Sequence, residues 1–98
     1  MLDTRLTDDV TLRCDALFDR VQATPIGRNA HALTVSLAEC EALERSLKTP
    51  STIYKLRTAR HWLRLAYGPS LHAYPPERLR MIVLDALSEF RSAIRSGL

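Results

Sequence analysis

The chain has 98 residues, of which 46% are hydrophobic and 26% charged, and this composition indicates one ordinary globular domain and excludes a disordered chain. The formal net charge of +3 conceals an asymmetry, because residues 1–50 carry six basic and eight acidic groups whereas residues 51–98 carry eight basic and three acidic groups. The two halves therefore attract each other, and the basic total is weak evidence for a nucleic-acid partner.

The N-terminal sequence is unlike a secretion signal, because its first nine residues include three aspartates in place of a basic start and an apolar run. No window approaches the roughly 18 apolar residues that cross a bilayer. We therefore expect a cytoplasmic protein. Its two cysteines, Cys14 and Cys40, form no CxxC pair and fall on apolar helix stripes, so we expect buried, reduced thiols.

Prolines 25, 50, 69, 75 and 76 divide the chain into four segments with helical periodicity. The first helix is predicted over about 7–23, with an apolar stripe of Val10, Cys14, Leu17, Phe18 and Val21. The second is predicted over about 29–48, with Asn29 as N-cap and a stripe of Leu33, Leu37, Cys40, Leu43 and Leu47. Glutamates 39, 41 and 44 make it the acidic helix.

The third helix, predicted over 49–67, has the most complete pattern in the chain. Thr49 is its expected N-cap and Pro50 its first residue, and Gly68 with Pro69 ends it. Its apolar face comprises Ile53, Leu56, Ala59, Leu63, Ala66 and Tyr67, and its basic flank comprises Arg57, Arg60, His61 and Arg64.

The fourth helix is predicted over about 76–96, and its stripe comprises Leu79, Ile82, Val83, Ala86, Leu87, Phe90, Ala93 and Ile94. Four amphipathic helices without β alternation predict an all-α fold. We expect a small four-helix bundle or an orthogonal helical array in a single domain of residues 1–98.

Motifs for catalysis are missing from the sequence. Its three histidines show no HExxH motif and no metal-ligand spacing, and its three glycines form no phosphate-binding loop. The cysteines lie on apolar faces, where a nucleophilic thiolate is disfavoured. We therefore expect neither an enzyme nor a cofactor or metal.

Several apolar residues lie off the four stripes and suggest a second buried interface. They are Leu12, Val35, Trp62, Leu65, Met81 and Leu84. We predict a non-catalytic interaction module (an adaptor, chaperone or inhibitor of a partner protein) that self-associates, most simply as a homodimer, with Trp62, Leu65, Met81 and Leu84 at the contact. Single exposed hydrophobic residues, which are common on monomers, are the alternative explanation.

The alternative function is that of a DNA-binding regulator in which the third helix acts as the recognition helix of a helix-turn-helix. Its phosphate contacts would come from Tyr54, Lys55, Arg57, Arg60 and Arg64. Equally, Arg57, Arg60 and Arg64 could pair with Glu39, Glu41 and Glu44 of the preceding helix and so neutralise that potential. The sequence leaves both alternatives open.

Overall fold

A computed structural model describes residues 4–69 and 74–98, and within these ranges the chain forms four α-helices and no strand. The helices are α1 (Thr4–Ala23), α2 (Ala30–Glu44), α3 (Pro50–Tyr67) and α4 (Pro76–Ile94). The prediction of an all-α helical bundle is confirmed.

The helix boundaries follow local capping chemistry. The Asn29 side chain accepts a hydrogen bond from the Ala32 amide at 3.0 Å, and Thr49 Oγ1 accepts one from the Thr52 amide at 3.3 Å. The predicted bounds were wrong at three ends, because α1 begins at Thr4, α2 ends at Glu44 and α4 ends at Ile94. Residues 45–49 are instead needed to turn the chain from α2 into α3.

Each helix packs against two others, in the cyclic order α1, α2, α3, α4. The most extensive contact is between α3 and α4. Helices α2 and α3 are antiparallel, because the Asn29 amide bonds the Tyr67 carbonyl at 2.9 Å while Glu44 pairs with Arg57. The molecule measures 46 × 21 × 18 Å and is therefore elongated. The four helices form a small bundle around one core.

The core is mainly aliphatic, and its largest fully buried side chains include Leu17, Leu43, Leu63, Tyr67 and Phe90. The stripes predicted for α1, α3 and α4 mostly face this core. The core also encloses two free thiols, of Cys14 and Cys40, and two hydroxyl groups, of Ser36 and Thr52.

The predicted stripe of α2 is wrong in its first half. The buried residues there are Ala32 and Ser36, whereas Leu33 and Leu37 are only half-buried. Small side chains thus take the inward positions in the first half of α2. Helix α2 therefore keeps leucines at its edge.

The end of the α4 segment is attached to the connection between α2 and α3. The main-chain oxygen of Leu98 accepts hydrogen bonds from the amides of Lys48 and Thr49 and, at 2.7 Å, from the buried hydroxyl of Thr52. These bonds fix the first turn of α3. The candidate site lies along this helix.

Candidate functional site

Helix α3 carries the largest net charge of the four described helices. Helix α3 contains four basic residues and no acidic one. Leu56, Ala59 and Leu63 on one side of the helix are fully buried, and this packing turns other side chains toward solvent. The exposed ones include Tyr54 (68% exposed), Arg57, His61 and Arg64.

Only part of this charge is neutralised within the chain. Arg57 Nε lies 2.9 Å from Glu44 Oε1, and Lys55 Nζ lies 3.3 Å from Glu89 Oε2 on α4. Across residues 4–69 and 74–98, Arg60 and Arg64 form no ion pair.

Of the three arginines of α3 that could pair with glutamates of α2, only Arg57 is observed to do so in the described part of the chain. Glu39 turns instead to Arg13 of α1, with 3.7 Å between Oε2 and Nη2. Glu41 is exposed and has no ion-pair partner in the described part of the chain.

The expectation that the core does not use Trp62, Leu65 and Leu84 is wrong. All three are partly buried and pack against the core, because α3 and α4 each contact two neighbours and bury a wider sector than one stripe. Trp62 also makes edge-to-face contacts with His61 and Tyr74, at ring-centre distances of 5.4 and 5.7 Å.

Met81 differs from these residues, because it is 65% exposed on α4. Leu12 on α1 is similarly exposed, at 66%. With Tyr54, the most exposed large hydrophobic side chains therefore lie on three different helices. They do not form a single stripe along one helix.

The five residues suggested for nucleic-acid contact do not share one face. Tyr54, Arg57 and Arg64 point outward, Lys55 pairs toward α4 and Arg60 is half-buried. In addition, α2 and α3 lie side by side, with contacts near both ends of α2, whereas helix-turn-helix pairs cross at about 90–120°.

Sequence reasoning missed the outer side of α2. No residue from Ala30 to Ala38 carries a full charge, and Ala30, His31, Thr34 and Ala38 are exposed there. Leu37 is half-buried and lies outside the core cluster. The signal was present in the sequence, because a helix that is apolar on several sides is normally covered on several sides.

The buried thiols are chemically quiet. Burial raises the pKa of Cys14 to about 11 and that of Cys40 to about 12, so both stay protonated at neutral pH. No group of histidines, cysteines and carboxylates in the described residues could hold a metal ion.

An open groove of about 460 Å³ between α3 and α4 is lined by Lys55, Ser88, Glu89, Ser92 and Ala93. The ion pair between Lys55 and Glu89 occupies part of this lining. The groove thus offers hydroxyl groups and a neutralised charge pair.

Two further findings bear on the site. None of the described helices is long and apolar enough to cross a membrane. Comparison of the chain with protein-family models, with curated proteins and with solved structures finds no match. The surface chemistry of α2 and α3 is therefore the main indication of function.

Proposed function

We propose that the protein is a non-catalytic helical module that binds other proteins, including copies of itself, through the side of the bundle formed by α2 and α3. The observation that carries this proposal is the combination of two arginines of α3, Arg60 and Arg64, that form no ion pair within the described residues, with the uncharged first half of α2. An exposed tyrosine and cations beside apolar surface are typical of protein interfaces. Arg60, Arg64 and Tyr54 are the residues expected to contribute most.

A non-catalytic role agrees with the chemistry of the buried groups. The thiols of Cys14 and Cys40 are the strongest nucleophiles available, and their raised pKa keeps them protonated at neutral pH. His61 is exposed and makes an edge-to-face contact with Trp62, whereas both thiols are buried. A reaction would need these groups to converge on one substrate.

Nucleic-acid binding is the second candidate. It is favoured by the charged residues of α3, all of which are basic. Two features weigh against it. The side-by-side packing of α2 and α3 differs from a helix-turn-helix, and Glu41 and Glu44 lie beside α3, where they would repel phosphates. An interaction with protein fits this mixed-charge surface better.

A site-specific photo-crosslinker tests the proposal. We would place it at exposed His61 on α3 and, as a matched control, at exposed Asp19 on α1, and identify adducts from cell extract by mass spectrometry. Adducts with defined proteins, formed from position 61 and much less from position 19, are expected. Equal adducts from both positions, or none from position 61, would contradict the proposed surface.

A titration with duplex DNA separates the two candidates. Phosphate-mediated binding should weaken steeply between roughly 50 and 200 mM salt. Replacing Arg57, Arg60 and Arg64 by Gln should then flatten that dependence. Such a result would favour the nucleic-acid candidate over the protein-interaction module.

A further inference from the structure

We propose that a second copy of this chain packs on the α2–α3 side, with α2 of one protomer lying over α3 of the other. This inference rests on the proposed function and names one partner and its geometry. It replaces the interface expected around Trp62, Leu65 and Leu84, since those side chains pack against the protomer's own core.

The outer side of α2 is uncharged along its first half. The first nine residues of the helix carry no full charge, and Leu37 lies half-buried at the centre of the helix, outside the core cluster. The exposed side chains there are Ala30, His31, Thr34 and Ala38, of which three are small, so another helix can approach closely. A partner can cover such a face without burying unpaired charges.

Charge complementarity supports this packing. The ion pair between Glu44 and Arg57 fixes the heights of residues on α2 and α3 along the shared axis of these antiparallel helices. One turn further along, Glu41 on α2 and Arg60 on α3 therefore reach similar heights. Neither forms an ion pair in the described part of its own chain, and Glu41 is exposed.

A symmetric dimer would bring these two charges together. A two-fold axis that runs parallel to both helices, above the line where α2 and α3 meet, places α2 of one protomer over α3 of the other. It keeps every residue at the same position along the helix axis. It therefore sets Glu41 of each protomer opposite Arg60 of its partner, so that the same ion pair forms twice. A surface that is complementary to itself in this way is what a closed dimer requires.

The size of this face predicts a weak dimer. Fifteen residues of α2 span about 22 Å, and two adjacent helices are about 20 Å wide, which gives roughly 450 Å² per protomer. Stable interfaces bury about 800 Å² per partner. We therefore expect dissociation in the micromolar range, with monomers at high dilution.

A charge exchange tests both the occupant and its orientation. Sedimentation equilibrium would be measured over a wide concentration range for wild type, for Glu41→Arg, for Arg60→Glu and for an equimolar mixture of the two variants. Each variant alone brings like charges together twice, so its dimer dissociation constant should rise on the order of tenfold or more. In the mixture both contacts become attractive again, one as the native pair of Arg60 with Glu41 and the other as the same pair with its charges exchanged, and a heterodimer close to wild-type affinity should form.

Asp85→Arg and Arg78→Glu, which change the same charges at exposed positions of α4, are the matched controls and should dimerise like wild type. Far-UV circular dichroism checks that every variant remains folded, and recovery in the mixture excludes misfolding as the cause of dissociation. A wild type that stays monomeric at high concentration would overturn the inference. So would a mixture that does not recover, or controls that dissociate equally. Crosslinks from position 61 to other proteins together with a monomeric wild type would refute this inference and the self-association in the proposed function, and would leave the binding of other proteins standing.

Discussion

Leu37 and Leu43 lie on the same helix and allow a stringent test of how α2 is oriented. Both would be replaced by Ala, which removes the same atoms from each site. Leu43 is 0% exposed in the core, whereas Leu37 is half-buried and outside the core cluster. The two substitutions should therefore have very different costs.

The magnitudes follow from burial. Leu43→Ala removes fully enclosed methyl groups and leaves a cavity, which costs about 3 to 5 kcal/mol. Leu37→Ala loses only part of the transfer free energy of a leucine and leaves no enclosed cavity, which costs about 1 kcal/mol. A domain of this size has about 5 to 15 kcal/mol of total stability, so the first change removes a large share of it.

Urea unfolding followed by far-UV circular dichroism measures both values. The experiment is done at high dilution, where the proposed dimer is dissociated and cannot add to the cost at Leu37. Phe90→Ala, at a fully buried position of α4, is the reference for a large core deletion and should cost about 3 to 5 kcal/mol. Equal losses at Leu37 and Leu43 would refute the orientation of α2 described above.

Thr52→Val should cost about 1 kcal/mol in thermal unfolding, because it deletes the buried hydroxyl that bonds Leu98 but keeps the side-chain volume; an unchanged transition would refute that bond's contribution. Gly68→Ala should cost more than about 2 kcal/mol, since a Cβ at this position would clash with the backbone oxygen of Arg64, and a neutral result would contradict that close approach. Stability should fall as pH rises from about 9 toward 11, because the unfolded chain ionises Cys14 and Cys40 near pH 9 while the folded chain holds them protonated to about 11 and 12. Urea unfolding should show a smaller fall for the variant with both cysteines replaced by Ala.

Helix number and most helix ends could be predicted because they depend on local chemistry. The Thr49 cap, Pro50 and Gly68 act within one or two turns of the residue concerned, so they define α3 without knowledge of the fold. The bounds of α2 were less accurate, because its end at Glu44 depends on how the next five residues turn into α3.

The orientation of α2 and the burial of Trp62 could not be predicted in the same way. Helix α2 is apolar on several sides, so periodicity does not select one stripe, and close packing placed Ala32 and Ser36 inward in place of Leu33 and Leu37. Trp62 is partly buried because α3 lies between α2 and α4, and these two helices shield both sides of α3 from solvent. Both results depend on contacts between helices that are distant in sequence.

The candidate site shows the same division between local and tertiary information. The short connection to α3 predicted antiparallel neighbours, and Arg57 does pair with Glu44. At 100° per residue, however, Glu39 lies about 140° around α2 from Glu44, so the two cannot both face α3. Glu39 accordingly pairs with Arg13 on the other side of α2. Within residues 4–69 and 74–98, this helical geometry leaves the charge of Arg60 without a paired carboxylate, and that unmatched charge is why a partner's carboxylate is expected there.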